Sequence, residues 1–516
     1  MSFMNAVKNT LNEDFNYSVT ENGALGYRTS GKELVDLNFA VSSMRGMSEE
    51  NIYNKFTKAY FEDKMMALRW LFFARDVRGG LGERRLFRAI LKNMAKDDVD
   101  VVKHLAPLVS EYGRYDDLWC LFGTDVDGVI LDIIKKQLTD DIANMADNKP
   151  VSLLAKWLPS VNASSAKTKM DARYICKNLG MTEREYRKTL SSLRSYIDIV
   201  ESKMSAKKWG DIKYETVPSR ANLIYNGAFL RNDEERRREY LSKLEKGETK
   251  INAGTLFPHD IVHKYSSTTG WYGGVGKYDA TLESLWKALP DTVNECGNTI
   301  VVADGSGSMC CNVGGNSRVT ALEVANALAI YFAEHSSGDF KDKYITFSSR
   351  PQLVDFSQCD SLRDKLRVAY SHSECSNTNI EKVFDLILTT AVNGNMKQED
   401  MPKNVLIISD MEFDSCATCG GNGYGLNRPN SRLFDVIKKR FEDAGYQMPR
   451  LVFWNVNSRT GTIPVKENDL GVALVSGFST NICKMVMSGK TDPYECLVET
   501  LMSERYDAVE AALKNS

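Results

Sequence analysis

No stretch of this sequence approaches the roughly 20 apolar residues that a membrane-spanning helix needs. The best local run, Leu68 to Ala74, is interrupted by Arg69 and followed by Arg75. The first residues lack the basic flank, long apolar core and small-residue cleavage site of a secretory signal. These two absences argue against membrane embedding and against export by the general route. Net charge is also nearly missing: 66 Lys plus Arg stand against 68 Asp plus Glu, leaving -2. This excludes a uniformly basic nucleic-acid coat and a polyanionic tail protein, although a local basic face remains open. The 11 cysteines are odd in number and spread from Cys120 to Cys496. A chain of 516 residues needs no disulfide staples, so a reducing compartment, the cytosol, is expected. Histidine is scarce: His104, His259, His263, His335 and His372 are the five, and His259 and His263, four apart, suit a helix face better than a metal pair. Catalytic signatures are absent too. Gly270 to Tyr278 fails the P-loop spacing, and no nucleophile elbow or paired-carboxylate pattern occurs, so binding rather than turnover is expected.

What is present is the composition of a soluble globular protein, with 43% hydrophobic and 26% charged residues. The length suggests more than one domain, and two unequal ones are expected. Up to residue 297 apolar residues recur at threes and fours, as in Met65, Leu68, Leu71 and Phe72. Helical stretches follow at about 84 to 95, 99 to 110, 127 to 145, 182 to 202 and 233 to 246, an array of packed helices without a clean repeat period. From residue 298 short β-rich runs alternate with helical ones, which predicts a doubly wound α/β domain over 298–516 with a mostly parallel six-stranded sheet. The runs are Thr299 to Ala303, Tyr344 to Phe347, Gln352 to Phe356, Val405 to Ser409, Leu451 to Val456 and Val472 to Ser476. Helices are expected at about 319 to 335, 379 to 392 and 431 to 444, with two more after Gly477; Thr320 and Glu323 have capping-box spacing. Charge separates the halves. Residues 1–297 hold 44 basic and 41 acidic residues, and within them 151–250 hold 21 and 13, a candidate anion-binding surface. Clusters such as Asp233 to Arg238 read equally as solvated helical faces.

The segment Ile300 to Ser308 ends a buried strand in an acidic, hydroxyl-bearing, glycine-flexible loop containing Asp304, Ser306 and Ser308. Ligands of open α/β sheets bind outside the carboxyl ends of strands, and a hard divalent cation prefers oxygen ligands. Ser376-Asn377-Thr378-Asn379 opens a second helical segment, and Val405 to Ser409 is a strand ending in Asp410. Together these three loops resemble the metal-ion-dependent adhesion site of a von Willebrand factor A domain. The resemblance implies ligation of Mg²⁺ or another divalent cation by Ser306, Ser308 and Thr378, with Asp304 and Asp410 anchoring the ion and its waters. It also implies an open coordination position for an acidic group of a protein partner. A Rossmann-like domain that binds nothing is the alternative. Cys310 and Cys311 follow the first loop, and Cys416 and Cys419 follow Asp410. These four read either as thiolates for a structural zinc or as free thiols.

Several stretches before residue 220 are more distinctive than helix filler: Phe72 to Arg84, Tyr112 to Leu118, Ser152 to Ser160, and Trp209 to Arg220. Joined to the adhesion-type domain, they are similar to the TROVE module of the Ro autoantigen proteins, especially its bacterial and phage-type relatives of unassigned role. The resemblance covers about residues 20 to 505 and implies a HEAT-like helical domain over 1–297, of a kind that closes as a ring in the better-studied Ro proteins. It further implies an RNA-binding, cytoplasmic, monomeric ribonucleoprotein component. Candidate phosphate contacts are Arg75, Arg78, Arg84 and Arg85 around a glycine-rich turn, with Lys156, Lys207, Lys208 and Arg220. Their alternative role is structural, with Asp76 and Glu83 as ion-pair partners for the arginines of the turn. The rival reading of the whole chain is a metal-dependent assembly protein that never touches RNA.

Overall fold

The computed structural model describes residues 4, 16–21, 25–267, 274–293, 298–314, 317–348, 350–373, 379–413, 431–464, 472–483 and 492–514. The chain divides into two compact units, one of residues 1–67 and 256–503, the other of 68–255 and 504–516.

The first unit is built on a six-stranded sheet. Its strands are β1 (Thr299–Asp304), β2 (Lys343–Phe347), β3 (Leu353–Asp355), β4 (Asn404–Ser409), β5 (Arg450–Asn455) and β6 (Ala473–Ser476). They lie in the order β3-β2-β1-β4-β5-β6, parallel except for the antiparallel edge strand β3. All six runs expected from the sequence are present. The central ones are continuous apolar runs because both faces are covered: Val405 to Ile408 and Leu451 to Trp454 are fully buried. Only β3 alternates, with Leu353 and Asp355 exposed around buried Val354. Helix Ala321–His335 is buried on nearly every side. Its expected capping box is made: Thr320 Oγ1 accepts from the Glu323 N–H (3.2 Å), and Glu323 Oε2 accepts from the Thr320 N–H (3.0 Å). Helix Ile380–Asn393 contributes Val383, Phe384 and Ile387 to the core over Val302, Val405, Ile407 and Phe453, and Ile437 and Phe441 of helix Ser431–Asp443 join the same cluster.

The described residues of 16–62 and 256–293, expected with the helical half, pack with the sheet. The backbone of Tyr27 exchanges two hydrogen bonds of 2.8 Å with Ile463, and helix Glu33–Phe39 lies against β6. Asn455, at the end of β5, donates its Nδ2–H to the Phe39 carbonyl (3.0 Å), and Ser476, at the end of β6, bonds Ser42 (3.0 Å). The sequence shows where texture changes, at 298, but not which core an amphipathic helix joins.

The second unit is helical, with helices Arg84–Asp97, Val99–Leu105, Asp127–Ala146, Ala166–Asn178, Glu183–Tyr196, Val200–Ser205, Ser219–Asn232 and Glu234–Glu245, closed by Asp507–Lys514. The single segment expected over 182–202 is two helices, broken at Asp198 in the left-handed region (φ 60°). The Asp233 to Arg238 cluster is only partly a solvated face. Arg236 and Arg238 pair with Asp233 and Glu234, whereas Arg237 is fully buried among Tyr214, Phe229 and Tyr240 and donates to Asn222 and Asn226. No helix among the described residues is long and apolar enough to cross a membrane.

Candidate metal centre at the strand ends

The order of the sheet reverses between β1 and β4, because the chain winds outward from β1 through β2 and β3 and then returns to β4 on the other side. At such a reversal the loops leaving the two strands diverge and open a crevice at their carboxyl ends. Asp304 ends β1 and Asp410 follows β4, so the expected acids sit at the two lips of that crevice.

The first loop is held by its own acid. Asp304 Oδ1 accepts from the Ser306 N–H (2.9 Å), and the Ser306 and Ser308 hydroxyls lie 3.0 Å apart. Ser409 donates to Asp304 Oδ2 (2.7 Å), tying the loop to the neighbouring strand. Both acids are 1% exposed, while Ser306 and Ser308 reach solvent. Ser373, which precedes the second loop, lies beside the first: a Cβ on Gly305 would lie 3.2 Å from its Cα. Thr378, Ser376 and Asn377 lie outside the described residues, but Asn379 caps helix Ile380–Asn393, the helix expected at about 379 to 392.

In the third loop Asp410 Oδ1 accepts from the Glu412 N–H (3.2 Å), and Met411 takes a left-handed conformation (φ 63°) uncommon for a residue with a side chain. Asp410 Oδ2 is buried with no hydrogen-bond partner. The Arg459 guanidinium is its nearest countercharge, at 3.5 Å. Burial, and then the Asp304 carboxylate beside it, push the Asp410 carboxyl above its ordinary value, while the Ser308 hydroxyl and the Arg459 guanidinium draw it back. Two carboxylates and two hydroxyls form an all-oxygen donor set, suited to a hard cation that keeps several waters. Among the described residues no three His, Cys, Asp or Glu side chains form a metal-binding group; this crevice has two acids and completes its donors with serines.

Sequence reasoning missed the frame around these loops. Glu412 is 1% exposed and accepts from the backbone N–H groups of Glu21 (2.8 Å), Arg459 (2.8 Å) and Thr460 (3.0 Å). It therefore joins the segment around Glu21 and the loop after β5 to the third loop. The signal available was Asp410-Met-Glu412, a second acid at the same strand end. Cys310 is half-buried and Cys311 exposed, neither in a disulfide; Cys416 and Cys419 lie outside the described residues.

The candidate phosphate contacts separate into two groups. Arg75 is 5% exposed and gives its guanidinium to Asp117 (2.7 Å), so it faces the interior. Of its expected partners, Asp76 instead receives Arg505, at 2.8 Å through Nη2. The glycine-rich turn is shaped by close approach: a Cβ on Gly80 would meet the Phe73 carbonyl oxygen at 1.9 Å. Arg78, Arg84, Arg85, Lys207, Lys208 and Arg220 are exposed, with Arg84 only distantly paired to Asp116 (4.0 Å). Lys156 is half-buried, 3.9 Å from Glu201.

Residues 298–514 match a family described as Domain of unknown function (DUF7788), and residues 129–299 match Domain of unknown function (DUF2828). An uncharacterized protein of Acanthamoeba polyphaga mimivirus is 29% identical over 526 residues, covering 94% of this chain and 87% of its own. No solved structure matches the chain. The junction of the two family matches falls at the change of sequence texture, and the similarity to the viral protein runs across it.

Proposed function

We propose that the protein is a metal-dependent binding scaffold whose α/β unit, of von Willebrand factor A type, holds Mg²⁺ or another divalent cation at the ends of β1 and β4. The observation that carries this reading is Asp410 Oδ2, buried without a hydrogen-bond partner beside Asp304, Ser306 and Ser308. A buried carboxylate oxygen that meets a guanidinium only at 3.5 Å is incompletely compensated, and a cation offsets the remaining cost. Ser306, Ser308 and Asp410 would hold the ion, with Asp304 fixing the loop. The bound ion supplies a coordination position for an outside carboxylate, so an acidic side chain of a protein partner is the ligand. The chain's own residues hold the two loops together, and the Ser409 and Glu412 bonds keep the acids oriented. Mg²⁺ titration by calorimetry tests this: saturable binding that Ser308→Ala weakens is expected, and heat no different from that of Asp304→Ala would count against it.

A second reading extends the first. The helical unit carries the basic surplus of residues 151–250, with Lys207 and Lys208 exposed, and this supports RNA binding by a Ro-like ribonucleoprotein component. Neutralising both lysines should weaken all RNAs alike and reduce the slope of log affinity against log salt by about one to two. RNA affinity no tighter than that of an unrelated protein of equal charge would leave the metal-dependent reading alone.

A further inference from the structure

Helix Glu183–Tyr196 turns Tyr186, Leu190 and Leu193 inward, which leaves Arg184, Arg187, Lys188, Ser191, Ser192 and Ser195 on one outward stripe at spacings of three and four. The stripe runs about 16 Å at 1.5 Å per residue. It forms one wall of a cavity of about 890 Å³, and Ser202, Lys203 and Lys208 line the other side.

Not every cation in this cavity is available. Arg194 donates to the carbonyls of Ala155 (2.8 Å) and Leu158 (2.7 Å) and to Ser160 Oγ (2.8 Å), which fixes the floor. Lys203 is taken by Asp198 (2.7 Å) and by the Asp211 carbonyl (2.7 Å). The acids on the stripe's own helix are engaged as well: Glu183 pairs with Arg173, and Glu185 closes the capping box with Thr182. Among the described residues, Arg184, Arg187, Lys188 and Lys208 remain, exposed and without an ion pair, against the carboxylates of Asp211 and of Asp198, the latter already held by Lys203.

We infer that this cavity binds a compact polyphosphate, a small molecule with several phosphate groups close together. Guanidinium groups serve phosphate oxygens bidentately, and serine hydroxyls add donors between them. The volume lies within the range of small-molecule sites. A nucleic-acid strand is less well served. The cavity's aromatic residue, Tyr186, is fully buried with its hydroxyl donated to the Pro159 carbonyl (3.0 Å), so no ring is offered for base stacking. The site lies wholly within the helical unit and does not depend on the metal centre.

The test is calorimetric titration of the full chain with sodium tripolyphosphate and with inositol hexakisphosphate, beside sodium sulfate at matched ionic strength and a single-stranded oligouridylate. Binding of either polyphosphate, weakened about tenfold or more in Arg187→Gln/Lys188→Gln at unchanged Tm, is the expected result. Equal binding by the variant, no binding by the wild type, or heat reproduced by sulfate would overturn the proposal. Oligouridylate binding tighter than either polyphosphate and lost in the same variant would replace it with an RNA groove.

Discussion

Asp117 shows how a buried charge organises the helical unit. It is fully buried and accepts from Arg75 and Arg88, and a Cβ on Gly113 would lie 2.6 Å from its Oδ2. From the sequence, Arg75 reads as a cation beside a flexible turn, and nothing there reveals an acid 42 positions away. Charged side chains advertise an affinity for anions, but burial decides whether the anion is a ligand or the protein's own carboxylate. Arg75→Ala should cost about 3 kcal/mol of stability, because it removes one partner of a buried pair, although Arg88 retains part of the interaction. Denaturant unfolding measures this; a variant as stable as the wild type, with anion binding reduced instead, would return Arg75 to the ligand-binding set. The placement of Asp304, Ser306, Ser308 and Asp410 at strand ends was legible for the opposite reason: each strand and the loop that leaves it are local in sequence. The Glu412 bonds to Glu21 and Arg459 were not, because they join segments 391 and 47 residues apart and no residue pattern marks either pairing.

At the scale of elements, strands were read more securely than helices. Both-face burial gives uninterrupted β-branched and aromatic runs such as Val405 to Ile408, whereas helices Ser219–Asn232 and Ala166–Asn178 carry Asn, Gly, Lys and Arg that dilute the periodicity. Helix Pro258–Tyr265 is joined to helix Ala321–His335 by His263 Nδ1 and Glu323 Oε2 at 2.9 Å. The bond to Glu323 raises His263 above its ordinary 6.5; burial works against Glu323, yet the bonds from His263, Ser266 and the Thr320 N–H hold it below 4.5. The His263 contribution is complete below pH 6.5 and is lost as pH rises through its raised value; that of Glu323 is present above pH 4.5 and is lost as pH falls through its lowered value. The pair therefore stabilises most between those limits, by roughly 0.5 to 1 kcal/mol given partial exposure of His263. His263→Gln should flatten the fall in stability on the alkaline side; an unchanged pH profile would show that the pair is not coupled to folding. Helix Asp507–Lys514 and the turn before it complete the helical unit: Tyr506 is buried against Phe73 and Tyr112, and Arg69 pairs with Asp507 (3.0 Å) and Glu510 (2.8 Å). Tyr506→Ala should destabilise that unit by about 3 to 5 kcal/mol. In a chain of two units this should appear as an earlier first transition or a separated one, and coincident, unshifted transitions would contradict it.

For the whole molecule, composition and compactness draw different boundaries. Sequence texture and the two family matches change near residue 298, yet the unit built on the sheet takes residues 1–67 and begins again at Leu256, while the helical unit takes back the last residues from Glu504. Helix Lys64–Arg75 carries the chain from one unit into the other. A fragment cut at 297/298 would therefore strip the sheet of the helix lying on β6 and the helical unit of Tyr506. Function should be tested on the full chain for that reason. The proposed cation site of Asp304, Ser306, Ser308 and Asp410 is tested by the thermal midpoint of the full chain against Mg²⁺ concentration, wild type beside Asp304→Ala. A saturable rise in the wild type, as preferential binding to the folded state requires, and its loss in a variant whose helical unit still unfolds cooperatively, is the predicted result. A rise of equal size in the variant, or none in the wild type, would contradict the account.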